Sequence, residues 1–182
     1  IKNKQTVSIT PVARPASIRD IKNKLNGKKL NYRQMKDIIT DIAENRLTDV
    51  EIAYFVAAAS TRGFNLKETR NLTKAMIDTG TALKWSKTAV SKHCIGGISG
   101  NRTTMLVVPI VAAAGILMPK TSSRSITSPS GTADTMEVLA PVCINSVAAM
   151  RKIVSKANGC IVWGGALDLA PADDRIIRAE HP

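Results

Sequence analysis

A chain of 182 residues that is 44% hydrophobic is long enough for one ordinary domain or two small lobes with a real core. An aromatic content of 3% argues against wide stacking platforms for single-stranded nucleic acid, and no apolar run approaches the ~18 residues needed to cross a membrane. The formal net charge of +12, with a pI near 10.0, favours anionic partners: nucleic acid, acidic membrane or phosphorylated small molecules.

Ile1 to Pro15 carries Pro11 and Pro15 and reads as an extended lead-in. Ser17 is expected to cap a helix that Gly27 closes. The dense basic run from Lys22 to Lys36 reads as the solvated face of helices rather than a nucleic-acid patch. Tyr32, Met35, Ile38, Ile39 and Ile42 fall at helical spacing. Thr48 stands three residues before Glu51, the signature of a capping box, and opens a helix that ends near Gly63. Another helix starts at Leu66 and runs to Gly80. The segment from Ser17 to Gly80 is therefore an all-helical lobe with short loops.

After Gly80 the texture changes. Thr81 to Ser91 is polar and reads as a hinge or strand, followed by a glycine loop at Gly96-Gly97-Ile98-Ser99-Gly100. Thr103 to Gly115 reads as a buried helix, and Thr121 to Ser130 as a loop or short strand. Helices are expected over 131–139 and 147–156, a short apolar strand over 160–163, and a new helix after Pro171. Alternating strand and helix makes this half α/β.

Two stretches carry chemistry. In Lys92-His93-Cys94-Ile95-Gly96-Gly97 a lysine precedes glycines that lead into a helix, an arrangement that can cradle an anion on backbone N–H groups. It is not a Walker A loop, because counting from Gly96 the second glycine, Gly100, comes one place early and Asn101-Arg102 follows. His93 has only His181 as company in the chain; Lys92 beside it favours a neutral imidazole able to donate or accept one hydrogen bond. In Thr121 to Leu139, Ser122, Ser123, Ser125, Thr127, Ser128, Ser130 and Thr132 supply short donors around the planar fork of Arg124. Asp134 and Glu137 share a helical face, placed to hold Arg124 or to cap the helix. Cys94, Cys143 and Cys160 form no CxxC pair and no metal spacing, which points to a reducing, cytoplasmic setting and to no metal.

Together the two stretches are specific. Lys92 to Gly97 resembles the K-H-S-x-G-G motif of thymidine phosphorylases and their relatives, the AMP phosphorylases. Ser122 to Glu137 is similar to that family's S-x-R signature ending in G-T-x-D-x-x-E, and Pro109 to Gly115 and Leu169 to Asp173 also fit. The resemblance implies an α + α/β fold: an all-helical lobe, then an α/β lobe, with a cleft between, in a chain that reads as a piece of a longer protein. It divides the chain into a lead-in at 1–16, the helical lobe at 17–80, a phosphate-binding part of the α/β lobe at 81–170, and a return towards the helical lobe at 171–182.

The same resemblance implies phosphorolysis of a nucleoside or nucleotide by a homodimer, with inorganic phosphate as co-substrate and no other cofactor. It places phosphate near Lys92, Cys94, Gly97, Thr104, Ser122, Ser123 and Thr132. It gives catalytic roles to His93, near the base, and Arg124, near phosphate and sugar. Ser125, Ile126, Thr127 and Ser128 become substrate-binding. The chain departs from the pattern at Cys94, where the family has serine, at Ser91, where it has aspartate, and at Glu180, where the thymidine branch has an arginine. Gly97 to Thr104 and Ser125 to Pro129 look like the AMP type. Thymidine is the first substrate expected and AMP the alternative. An anthranilate phosphoribosyltransferase-like transferase and a nucleic-acid-binding module stand further off.

Overall fold

The computed structural model describes residues 13–93, 102–124 and 131–180. Four helices open the described chain: α1 (Ser17–Leu25), α2 (Tyr32–Ala43), α3 (Asp49–Arg62) and α4 (Leu66–Thr79). Three of them start on one device. Asn31, Thr48 and Asn65 each accept a backbone N–H three residues on, and Gln34, Glu51 and Glu68 reach back to the capping residue's own N–H. The expected box at Thr48 and Glu51 is present; the same device at Asn31 and Asn65 adds to it.

The start of α1 corrects an expectation. Ala16, not Ser17, is the capping position, with helical φ and ψ and no side-chain cap. Ser17 lies inside the first turn, and its Oγ is buried with no hydrogen-bond partner. A residue already in helical geometry is badly placed to turn its oxygen onto the N–H groups ahead of it.

The helical core gathers Met35, Ile38, Ile39 and Ile42 of α2, all fully buried, with Ile21, Leu30, Leu47, Ile52, Phe55 and Ala75. Burying each large aliphatic side chain contributes about 1.5–3 kcal/mol. The last helix, α8 (Pro171–Glu180), returns to this core: Ala172 is buried within it, and Ile176 and Ala179 pack against it. The basic run at 22–36 is solvated with one exception. Lys24 donates to Glu68 Oε1 at 2.8 Å, and both side chains are only 4% exposed. Glu68 also accepts the Leu30 N–H at 2.9 Å, and the ammonium lies 4.8 Å from the Phe64 ring centroid.

In the α/β lobe, β1 (Met118–Ser122) and β2 (Gly159–Trp163) pair in parallel, Met118 opposite Gly159 and Ser122 opposite Trp163. Between them run α6 (Thr132–Glu137) and α7 (Val147–Ala157). Ahead of β1, Ala89 makes a parallel bridge to Leu117, and the Val90 N–H donates to the Leu117 carbonyl at 2.8 Å. One face of the sheet meets α7, where Met150 and Val154 cluster with Leu117 and Val162. The other meets α5 (Thr103–Ala113). A Cβ on Gly159 would lie 3.0 Å from the Ala112 Cβ and 3.4 Å from Val108, so a side chain there would crowd the helix.

Two expectations shift in this lobe. The strand begins at Met118, earlier than the donor-rich stretch suggested. The helix α5 is buried along one stripe alone, Thr104, Val108 and Ala112, while Leu106 and Ile110 are 65% and 67% exposed. Spacing of four puts the stripe on one helical face; a helix that is apolar all round after its first two threonines gives no hint of which face lacks a neighbour.

Candidate functional site

Three elements end at one place. The extended segment after Ala89 runs beside β1 in the same direction, bringing Lys92 alongside that strand. The helix α5 lies across the sheet with its C-terminal turn at the start of β2, where Asn158 Nδ2 donates to the Ala112 carbonyl at 3.3 Å. Its first turn therefore sits towards the far ends of the strands. There Lys92 Nζ donates to Thr104 Oγ1 at 3.0 Å, and Thr104 is fully buried. Ser122 closes β1, with its Oγ donating to the Ser123 carbonyl at 3.1 Å.

Arg124 then ties β1 to α6. Its Nη1 donates to Asp134 Oδ1 at 2.9 Å and to Glu137 Oε2 at 2.7 Å, and Nη2 donates to Glu137 Oε1 at 3.1 Å. The other carboxylate oxygen of Asp134 accepts the Gly131 N–H at 2.9 Å, which fixes the start of α6 and the adjacent, buried Thr132. Asp134 thus performs both duties the sequence allowed it, holding Arg124 and capping the helix. The Arg124 guanidinium stacks 4.6 Å from the Trp163 ring centroid at the end of β2. Room for that ring comes from Gly165, where a Cβ would lie 2.7 Å from it.

The electrostatics follow the contacts. Hydrogen bonds to Glu137, then to Asp134, push the Arg124 pKa further up. Its hydrogen bonds in turn hold the Glu137 carboxyl below the usual glutamate range. Cys143 stands at the edge of this cluster, its Sγ 3.7 Å from Arg124 Nη2 and 3.8 Å from Glu137 Oε1. Burial pushes the Cys160 thiol up to about 11.

Of the residues singled out in the sequence, the structure joins Lys92 to Thr104 and sets Ser122, Ser123 and Arg124 together at the end of β1. Thr132 is linked to them through Asp134. His93 is exposed beside Lys92. Cys94, Gly97, Ser125, Ile126, Thr127 and Ser128 lie outside the described residues. Sequence reading passed over Trp163 and Lys120. The signal for Trp163 was the pair Gly164-Gly165 straight after it; for Lys120, a lysine set between the apolar Ile116 to Pro119 and the hydroxyls that follow. A separate hollow of about 580 Å³, lined by Asn45 to Asp49 with Arg175 and Arg178, lies on the helical lobe away from this cluster.

Comparison with known proteins bears on the whole chain. Residues 20–80 match the glycosyl transferase family's helical bundle domain, and residues 86–178 its a/b domain. A Legionella pneumophila (strain Paris) protein named "Putative thymidine phosphorylase" is 57% identical over 166 residues, 91% of this chain and 32% of its own length. The AMP phosphorylase of Natronomonas pharaonis is 49% identical over 177 residues, 97% of this chain and 35% of its own. The chain spans about a third of the length of these curated relatives. The crystal structure of anthranilate phosphoribosyltransferase from Thermus thermophilus superimposes with a TM-score of 0.64 at 20% identity, over 88% of this chain and 50% of that one. That likeness is one of fold.

Proposed function

We propose, from the premise that this chain belongs to the glycosyl transferase family, that it carries the phosphate-binding half of a site for phosphorolytic pentosyl transfer. An oxygen of inorganic phosphate attacks C1′ of a nucleoside. The C1′–N bond breaks, its electron pair leaves with the base, and the base takes up a proton. With thymidine the products are thymine and 2-deoxyribose 1-phosphate.

The observation that carries this reading is the Lys92–Thr104 pair, set beside a strand end that Arg124 ties to α6. An attacking phosphate must be stripped of water and held in line, and an ammonium with fixed hydroxyls does both. Lys92, Thr104, Ser122, Ser123 and Thr132 are assigned to phosphate, with Cys94 and Gly97, which follow Lys92 in sequence. His93 is assigned to the leaving base, and Ser125 to Ser128 to the sugar side. Arg124 has its two Nη atoms on carboxylates, so in this reading it positions the pocket wall and does not grip phosphate.

Thymidine is the first substrate proposed, on the names of several relatives, and AMP the second, on the Natronomonas relative and the AMP-like loops. A homodimer in the cytoplasm belongs to the same proposal and rests on the resemblance and the cysteine pattern. Among the described residues no helix is long and apolar enough to cross a membrane. The test is phosphate-dependent release of thymine from thymidine, run beside adenine from AMP. Thymine release is expected; release of adenine alone overturns the thymidine assignment, and no phosphate-dependent release from either overturns phosphorolysis.

A further inference from the structure

Lys120 is a buried cation, 6% exposed, to which the reaction above gives no role. It lies on β1 two residues before Ser122, and its ammonium donates to the Thr121 carbonyl. The register fixes its direction. Met118 pairs with Gly159, whose Cβ position points at Ala112 and Val108 of α5. Side chains alternate along a strand, so Met118, Lys120 and Ser122 all face α5, while Leu117 joins the cluster on the α7 side.

The level along the sheet follows from pitch. Running back along α5 from Ala112 to Thr104 covers about 12 Å at ~1.5 Å per residue, and Met118 to Ser122 covers about 13 Å at ~3.3 Å per residue. Lys120 therefore stands midway, at the level of Val108, on the face that α5 covers. The bridge from Ala89 to Leu117 sets Lys92 level with Lys120 on the neighbouring segment. Lys92 thus donates to the fully buried Thr104 hydroxyl from one extended segment, and Lys120 stands level with it on the next.

We infer that Lys120 is a second anion-binding lysine, lying beneath the phosphate that Lys92, Thr104 and Ser122 hold. The inference rests on the phosphate reading of this site. A phosphate dianion carries more charge than one lysine balances, and a buried ammonium gains most from an anion seated in the same dry pocket.

The test titrates phosphate and sulfate against wild type, Lys92→Ala, Lys120→Met and Lys120→Arg, following the melting temperature together with KM for phosphate and for nucleoside. Lys120→Met is expected to raise the phosphate KM about tenfold or more, as loss of a charged hydrogen bond does, and to lose most of the anion-induced rise in Tm. Its nucleoside KM stays near that of wild type, and Lys120→Arg keeps an anion response. A wild-type response in Lys120→Met, with that response lost in Lys92→Ala, overturns the role of Lys120 and leaves the phosphate reading standing. No response to phosphate in wild type overturns both. Should Lys120→Met not fold, a sulfate-soaked crystal of wild type decides. Sulfate within about 3.2 Å of Lys120 Nζ supports the inference, and sulfate on Lys92 with none within that distance of Lys120 Nζ overturns it.

Discussion

The Arg124 guanidinium is held on three sides: Glu137 takes both Nη atoms, Asp134 takes one of them again, and Trp163 covers a face. A planar fork locked in this way transmits the position of α6 to the end of β1. Glu137→Gln keeps the shape and removes the charge. It is expected to raise the phosphate KM several-fold, about 3–10-fold, for an exposed charged pair that acts through position, and to change the emission of Trp163. Steady-state kinetics and tryptophan fluorescence check this; if both are unchanged, Arg124 is not a brace. The pH dependence has a definite sign. Arg124 lowers the Glu137 pKa, so the clamp is complete above the usual glutamate value and loosens only as pH falls through the depressed one. The phosphate KM should therefore be insensitive to this group near neutrality and rise in acid. The Asp134–Glu137 half of the clamp was legible, because a spacing of three puts both on one helical face. The Trp163 half was not, because strand register brings it to Arg124 and local sequence does not encode register.

At the scale of elements, the helix start at Thr48 was legible because a polar cap and its partner Glu51 stand three residues apart, while the same device at Asn31 and Asn65 was passed over. Ser17 misled because a hydroxyl before an apolar run is a cap only if its backbone is extended, and here the helical geometry has already begun at Ala16. Lys24 misled for a different reason. A lysine among lysines reads as solvent-facing, yet α4 supplies Glu68 opposite it, and the pair is buried. Burial opposes ionisation of Glu68, but the Lys24 ammonium and the N–H groups of Leu30 and Asn65 outweigh it, and the carboxyl titrates below its ordinary value. Glu68→Ala strands the ammonium and removes the cap on Asn65 together, so it should destabilise by about 3–5 kcal/mol. Urea unfolding measures this, and a loss under about 1 kcal/mol would mean that water reaches Lys24. The carboxyl's contribution is fully present above its unfolded value of about 4.3 and is lost as pH falls through the lower folded one. Wild type should therefore lose stability on acidification that the variant does not.

At the scale of the whole molecule, the order of the lobes was legible from the change of texture at Gly80, while the joint between them was not. The chain leaves the helical lobe at Gly80–Thr81 and comes back past Leu169 into α8. These two passages are bound to each other: the Thr81 N–H donates to the Leu169 carbonyl at 2.8 Å. Gly80 is what allows the approach. Its backbone is extended, at φ −100° and ψ −179°, a conformation open to any residue, so left-handed geometry is not the reason for glycine. The reason is space, since a Cβ there would lie 2.5 Å from the Leu169 oxygen and 3.1 Å from the Met76 oxygen, both backbone atoms. Gly80→Ala should ordinarily favour folding by stiffening the unfolded chain, by about 0.4–1 kcal/mol. Here the steric term opposes it and should win, for a net loss of about 1–3 kcal/mol as in overpacked sites. Urea unfolding gives the sign. Hydrogen exchange at the Thr81 amide gives the cause, because pushing the passages apart exposes that N–H first. A stabilised variant with Thr81 still protected would show that the passages yield without loss. A destabilised one with Thr81 exchanging freely would make this crossing the joint on which the two lobes are set.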